Sequence, residues 1–137
     1  MKLNEKKTKT MIFNFSKKFQ FTTRLQVNSV NIDIVKEAKL LGVTITDKLT
    51  WDKNTNDLVR KAFMRMKLLN AAAEFTRNKQ DLKSIYLTFI RSVLEQSAVV
   101  WHSSLVKRNK NDLERVQKAA LRVIMGKQFT NYKKSIK

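Results

Sequence analysis

A chain of 137 residues with 42% hydrophobic side chains is about one domain's worth and can bury a modest core, so disorder is not its default. Having no cysteine, it cannot form disulfides, thiolate metal sites or cysteine nucleophiles, and this fits an intracellular setting. Lys and Arg total 29 against 11 Asp and Glu, a net charge of +18, which favours polyanionic partners and nucleic acid first among them. No apolar run approaches bilayer length, and the lysine-rich first residues lack the apolar core of a secretory signal, so no membrane partner is expected.

In chain order, residues 2–10 are basic and polar, and residues 11–15 (Met-Ile-Phe-Asn-Phe) predict a short strand. Lys17 and Lys18 mark a turn. Phe19, Phe21, Leu25 and Val27 then alternate with Gln20, Thr22, Arg24 and Gln26, with Thr23 at the remaining inward position. That is the period of a half-buried strand. Asn28-Ser29 predicts a hairpin turn, because asparagine tolerates positive φ, and Val30, Ile32 and Ile34 resume the alternation. The next strand points Leu41, Val43 and Ile45 one way and Thr44 and Thr46 the other, with Gly42, one of two glycines, inside it. Asp47 and Lys48 break the run, and Thr50 is placed to cap a helix from Trp51.

Beyond Trp51 the apolar period changes from two to between three and four. Leu58, Val59, Ala62, Phe63, Met66, Leu69 and Ala73 form one helical stripe. Asn78 is a cap for a second helix with Asp81 in its first turn, and the stripe there is Leu82, Ile85, Tyr86, Phe89, Ile90, Val93 and Leu94. A third helix, opened by Asn109 or Asn111, carries Leu113, Val116, Ala120, Val123 and Ile124 and stops at Gly126. Residues 20–46 are thus expected to be mainly strand, and residues 52–74, 79–95 and 111–125 mainly helix. The fold class is α+β, a small antiparallel sheet followed by a three-helix bundle. Its expected divisions are a β segment over residues 1–48, a helical region over 49–126 and a basic tail over 127–137.

These residues, in this order, resemble the C-terminal part of a non-LTR retrotransposon reverse transcriptase. Leu3-Asn4, Lys7-Thr8-Lys9 and Met11-Ile12-Phe13 resemble the segment closing the palm, and Lys39-Leu40-Leu41-Gly42-Val43 resembles the primer-grip hairpin. Leu49-Thr50-Trp51 with Asn54-Thr55 resembles the thumb entry. Arg91-Ser92-Val93-Leu94-Glu95, Val100-Trp101-His102-Ser103 and Leu113-Glu114-Arg115-Val116-Gln117-Lys118-Ala119 resemble the helical region after it. The resemblance implies an RNA-directed DNA polymerase that uses Mg²⁺ held by palm aspartates. Its Tyr-x-Asp-Asp turn lies upstream of the Leu-Asn segment, and no match to it occurs here. The chain therefore reads as an internal piece of such an enzyme, with no catalytic residue, no cofactor and no polymerase activity of its own.

The candidate sites have competing readings. Lys53, Arg60 and Lys67 recur every seven residues opposite the apolar stripe, with Lys61 and Arg65 on the flank. The resemblance implies that this face tracks the phosphates of a template–primer duplex, whereas the plain alternative is a solvated helix face. Leu41 and Gly42 are the primer-grip-like pair, although Gly42 serves equally to relieve a twist in the sheet. Asp47 and Asp52 lack a third ligand for a metal, and His102 beside Ser103 and Ser104 lacks the acid and elbow of a hydrolase. Lys7 or Lys9 matches a lysine the family places near the incoming nucleotide, a role without a substrate here. Trp51 and Trp101 lie near apolar stripes and read as core, stacking on bases being their other use. The rival to nucleic-acid binding is a protein-interaction or non-functional remnant, in which apolar surface left exposed favours self-association.

Overall fold

The computed structural model describes residues 4, 7–16, 18, 24–126 and 129. The chain is α+β and divides into two compact units between Trp51 and Asp52, the first built on β-hairpins and the second on helices. The part of the expected first strand over residues 19–23, and the basic tail apart from Phe129, lie outside the described residues.

In the first unit β1 (Gln26–Val27) pairs antiparallel with β2 (Val30–Asn31), Gln26 opposite Asn31 and Val27 opposite Val30. Asn28 and Ser29 make the turn with φ of 50° and 65°, as the sequence predicts. Two left-handed residues in succession give the twist that joins antiparallel strands tightly. The return strand is shorter than its alternation suggests. Only Ile32 is buried, while Val30 and Ile34 stay exposed, and the pairing ends with Ile32 N–H donating to the Leu25 carbonyl. The chain turns instead to Thr10, whose N–H donates to the Asp33 carbonyl while its own carbonyl accepts from Val35 N–H. That single parallel bridge, Thr10 with Ile34, replaces the strand expected over residues 11–15, where Phe13 and Phe15 remain exposed. Lys9 Nζ seals the contact at 2.6 Å from Asp33 Oδ2. The hydrogen bond from Lys9, and then its charge, hold the Asp33 carboxyl below the usual carboxylate range.

The second hairpin pairs β3 (Glu37–Leu40) with β4 (Val43–Thr46) in the register Glu37–Thr46, Ala38–Ile45, Lys39–Thr44 and Leu40–Val43. Leu41 and Gly42 are its two-residue turn, with φ of 49° and 87°. This corrects the expectation of one strand running through the glycine. Leu41 does not share a face with Val43 and Ile45; it is 89% exposed at the tip. Glycine takes the second left-handed position without steric penalty, and its presence turns the segment from strand to hairpin. Among the described residues the unit holds two separate two-stranded sheets in place of the single sheet expected. Thr50 pairs back onto the end of β4. Its N–H donates to Thr46 Oγ1 at 2.9 Å, and the two hydroxyls lie 3.1 Å apart.

The second unit opens with α1 (Asp52–Phe75), which buries Leu58, Val59, Ala62, Met66 and Leu69 of the predicted stripe. Next comes α2 (Lys79–Ile85), capped as predicted by Asn78, whose Oδ1 accepts Gln80 N–H at 3.0 Å. It continues through a π-helical turn (Tyr86–Arg91) into α3 (Ser92–Leu94). The chain reverses at Ser97, in left-handed conformation, and passes through α4 (Ala98–Trp101) and a 3₁₀ turn (His102–Ser104). The last helix, α5 (Lys107–Met125), stops at Gly126, as predicted. It starts before Asn109, however. Asn109 is buried in the first turn and caps nothing, because the helix is opened by Val106 in an extended conformation. Trp101 is fully buried and donates from Nε1 to the Gln96 carbonyl, fixing the reversal.

The π turn corrects one core assignment. A π-helix takes more residues per turn than an α-helix, so it slips the apolar phase. Ile90 rotates to 0% exposure and Phe89 outward to 48%, although both belong to the predicted stripe. Replacing Ile90 by Ala is therefore expected to lower stability by about 2–5 kcal/mol in denaturant titrations. Phe89 to Ala, from a half-exposed site, is expected to cost less than about 1 kcal/mol.

Candidate nucleic-acid interface

On α1 the buried residues define one side of the helix, and Lys53, Arg60 and Lys67 all lie exposed on the other. Residues seven apart drift only about 20° per step around a straight helix, so the three make a continuous row about 10 Å apart. Asp57 approaches Arg60 at 3.7 Å, but both side chains are largely solvated and such a pair is weak. The same outward side carries Met64, Leu68 and Phe75, all exposed. The face is thus cationic along one edge and apolar beside it.

The flanking pair divides. Lys61 is half-buried at the margin of the row. Arg65 reaches the other way, donating from Nη1 to the Phe89 carbonyl at 2.8 Å. A π turn shifts the backbone hydrogen bonds by one residue and displaces carbonyls from the α-helical ladder, and Arg65 supplies a donor to one of them. Arg65 is therefore a bracket between α1 and the π turn as well as a positive charge.

A second basic row was missed. Arg108, Arg115 and Arg122 recur every seven residues along α5 and are all exposed. The period used for α1 marks them equally well, but apolar spacing and capping drew the attention on this helix. Arg108 Nη2 lies 2.9 Å from Asp52 Oδ1, and the Arg115 guanidinium sits 5.7 Å from the Phe63 ring centre. Both contacts join α5 to α1, and both advance toward the C-terminus together, so the two helices run parallel with their basic rows along one seam. Arg122 stands over Phe129, 5.6 Å from its ring centre.

Other candidates are placed elsewhere. Asp52 Oδ1 is engaged by Arg108, and among the described residues no three acidic or histidine side chains come together. The described residues do not fit the Mg²⁺ pair that the resemblance implies for an intact enzyme. His102 is exposed in the 3₁₀ turn, beside an open cleft of about 710 Å³ that also touches Leu94, Trp101, Lys110 and Leu113. Lys9 is committed to Asp33.

Over 128 residues, 90% of this chain, the sequence is 24% identical to a Drosophila melanogaster protein described as "Probable RNA-directed DNA polymerase from transposon BS". The relationship is distant and reverse-transcriptase-like. The chain spans 14% of that relative's length. No family model and no solved structure matches the chain. The matched stretch is longer than either unit, so the likeness to the polymerase runs across both. The candidate residues divide between the units. Leu41 and Gly42 sit at the hairpin tip of the first, and the lysine and arginine rows belong to the second.

Because Arg65 is tied to the Phe89 carbonyl, Arg65 to Gln is expected to lower stability by about 1 kcal/mol. Thermal unfolding followed by circular dichroism checks this. The same variant is expected to shift the salt dependence of duplex binding by less than the loss of any residue in the α1 row.

Proposed function

We propose that this chain is a duplex-holding part of a reverse-transcriptase-like polymerase and binds template–primer nucleic acid without regard to sequence. The observation that carries the reading is the α1 face, where Lys53, Arg60 and Lys67 stand exposed at heptad spacing opposite the buried stripe. A row of cations along a helix neutralises successive phosphates and releases condensed counterions, which gives affinity without base selection. Duplex geometry suits it better than a compact anion, since the row extends over four turns of helix. The net charge of +18 adds a long-range attraction for any polyanion. Phe75, 91% exposed at the end of the same face, offers a ring on which an unpaired base can stack. This reading assigns the chain no nucleotide transfer; polymerisation belongs to the rest of a longer enzyme.

Self-association has its own observation. Met64, Leu68 and Phe75 leave apolar surface on α1, and Val99 is 97% exposed on α4. Two copies meeting through α1 would bring like-charged rows together, so this contact is disfavoured unless a polyanion lies between them. Concentration-dependent sedimentation without nucleic acid separates the readings, a monomer supporting the first.

Changing Lys53, Arg60 and Lys67 together to Gln is expected to reduce the log–log salt slope of duplex binding by up to about 3 units, at about 0.9 per phosphate. Base preference is expected to stay flat, and helicity to persist, because Gln is a good helix former and the apolar stripe is untouched. Fluorescence anisotropy on an RNA–DNA hybrid across a salt series measures this. An unchanged slope would mean that the α1 row is merely solvated.

A further inference from the structure

We infer that Arg108, Arg115 and Arg122 form a second phosphate-binding row, and that the α1–α5 surface takes both backbones of one duplex. The inference rests on the reading of α1 given above and extends it to a helix that the reading did not use. Three observations carry it. The α5 row has the same seven-residue step as the α1 row, so the two drift around their helices at the same rate. The helices are parallel neighbours, joined by Asp52 with Arg108 and by Phe63 with Arg115, and packed helices lie about 8–10 Å apart between axes. The rows therefore run side by side in one direction rather than diverging.

The third observation concerns how the arginines are held. Phe63 takes one face of the Arg115 guanidinium and Phe129 one face of Arg122. Stacking uses the face of the ion and leaves its in-plane N–H donors pointing outward, where only Asp112, 3.9 Å from Arg115 Nη1, stands beside them as a long, exposed pair that a phosphate can displace. Arg108 and Arg115 remain 70% and 66% exposed despite these contacts. Their entropy cost on binding is partly met in the free protein. A single row of charge follows one backbone. Two rows a helix diameter apart need two lines of phosphate, which a duplex supplies and a single strand does not. A second copy of the chain is excluded as the occupant by charge, since both surfaces are cationic.

The test uses the full chain, a hybrid duplex of about 20 base pairs and each of its strands alone, titrated over about 50–200 mM salt. Arg108, Arg115 and Arg122 changed together to Gln are expected to reduce the duplex slope by up to about 3 units, so that affinity falls up to about 60-fold less across that range. Single-strand slopes are expected to stay at the wild-type value. The same residues changed to Lys keep the charge and are expected to keep most of the duplex slope. Should the Gln triple lose helicity, Arg122→Gln alone, which touches no residue of α1 in the contacts above, is expected to lower the slope by about 1 unit. A wild-type duplex slope in the α5 variants beside a reduced one in the α1 triple overturns the second row and leaves the α1 reading standing. Equal losses on duplex and single strand overturn the two-backbone arrangement. A wild-type chain whose duplex binding ignores salt overturns both.

Discussion

The parallel packing of α1 on α5 is the constraint on which the helical unit depends. Ala62 on the first and Ala120 on the second are fully buried, and small side chains at such positions let two helix axes approach closely. Leu58 and Leu69 on the first and Leu113 and Val116 on the second are buried as well. Once that seam is set, the outward sides of both helices are determined, because every residue is fixed in angle by the helical repeat. The basic rows are a consequence of this seam. They lie where they do because the apolar stripes lie opposite.

The helix between them accommodates the seam by a local irregularity. The π turn shifts the apolar phase so that Leu82, Ile90, Val93 and Leu94 can all be buried despite their uneven spacing. Ser84, Thr88 and Ser92 each donate a hydroxyl to the carbonyl four residues back, a pattern that bends helices. Arg65 from α1 then donates to the Phe89 carbonyl. One cation of the basic face is in this way part of the scaffold while keeping its charge.

Electrostatics works against the compact state as much as for a partner. A net charge of +18 on 137 residues repels itself, and the ion pairs present are exposed and weak. Burial of apolar stripes carries the stability, and a polyanion on the basic rows relieves the repulsion. On the proposed function, binding and stability are linked through the same charges.

Much of this was legible from residue order alone. The change of apolar period at Trp51 separated hairpins from helices, Asn28-Ser29 marked a left-handed turn, Asn78 marked a cap and Gly126 a stop, because each rests on local stereochemistry. Heptad spacing likewise revealed the α1 row, since a helix converts spacing directly into direction. What escaped depended on neighbours remote in sequence. Residues 11–15 have strand composition but join no ladder, the one bridge to Ile34 being made by Thr10, and Thr50 N–H is taken by Thr46. Leu41 had to join Gly42 in a turn once Leu40 paired with Val43. Phe89 faces solvent because a π turn slipped the phase, Asn109 is buried because α5 starts earlier, and Arg65 serves Phe89 because α1 lies beside it. Periodicity states which residues share a face. Only packing decides which faces meet, and therefore that the arginines of α5 stand beside the lysines of α1.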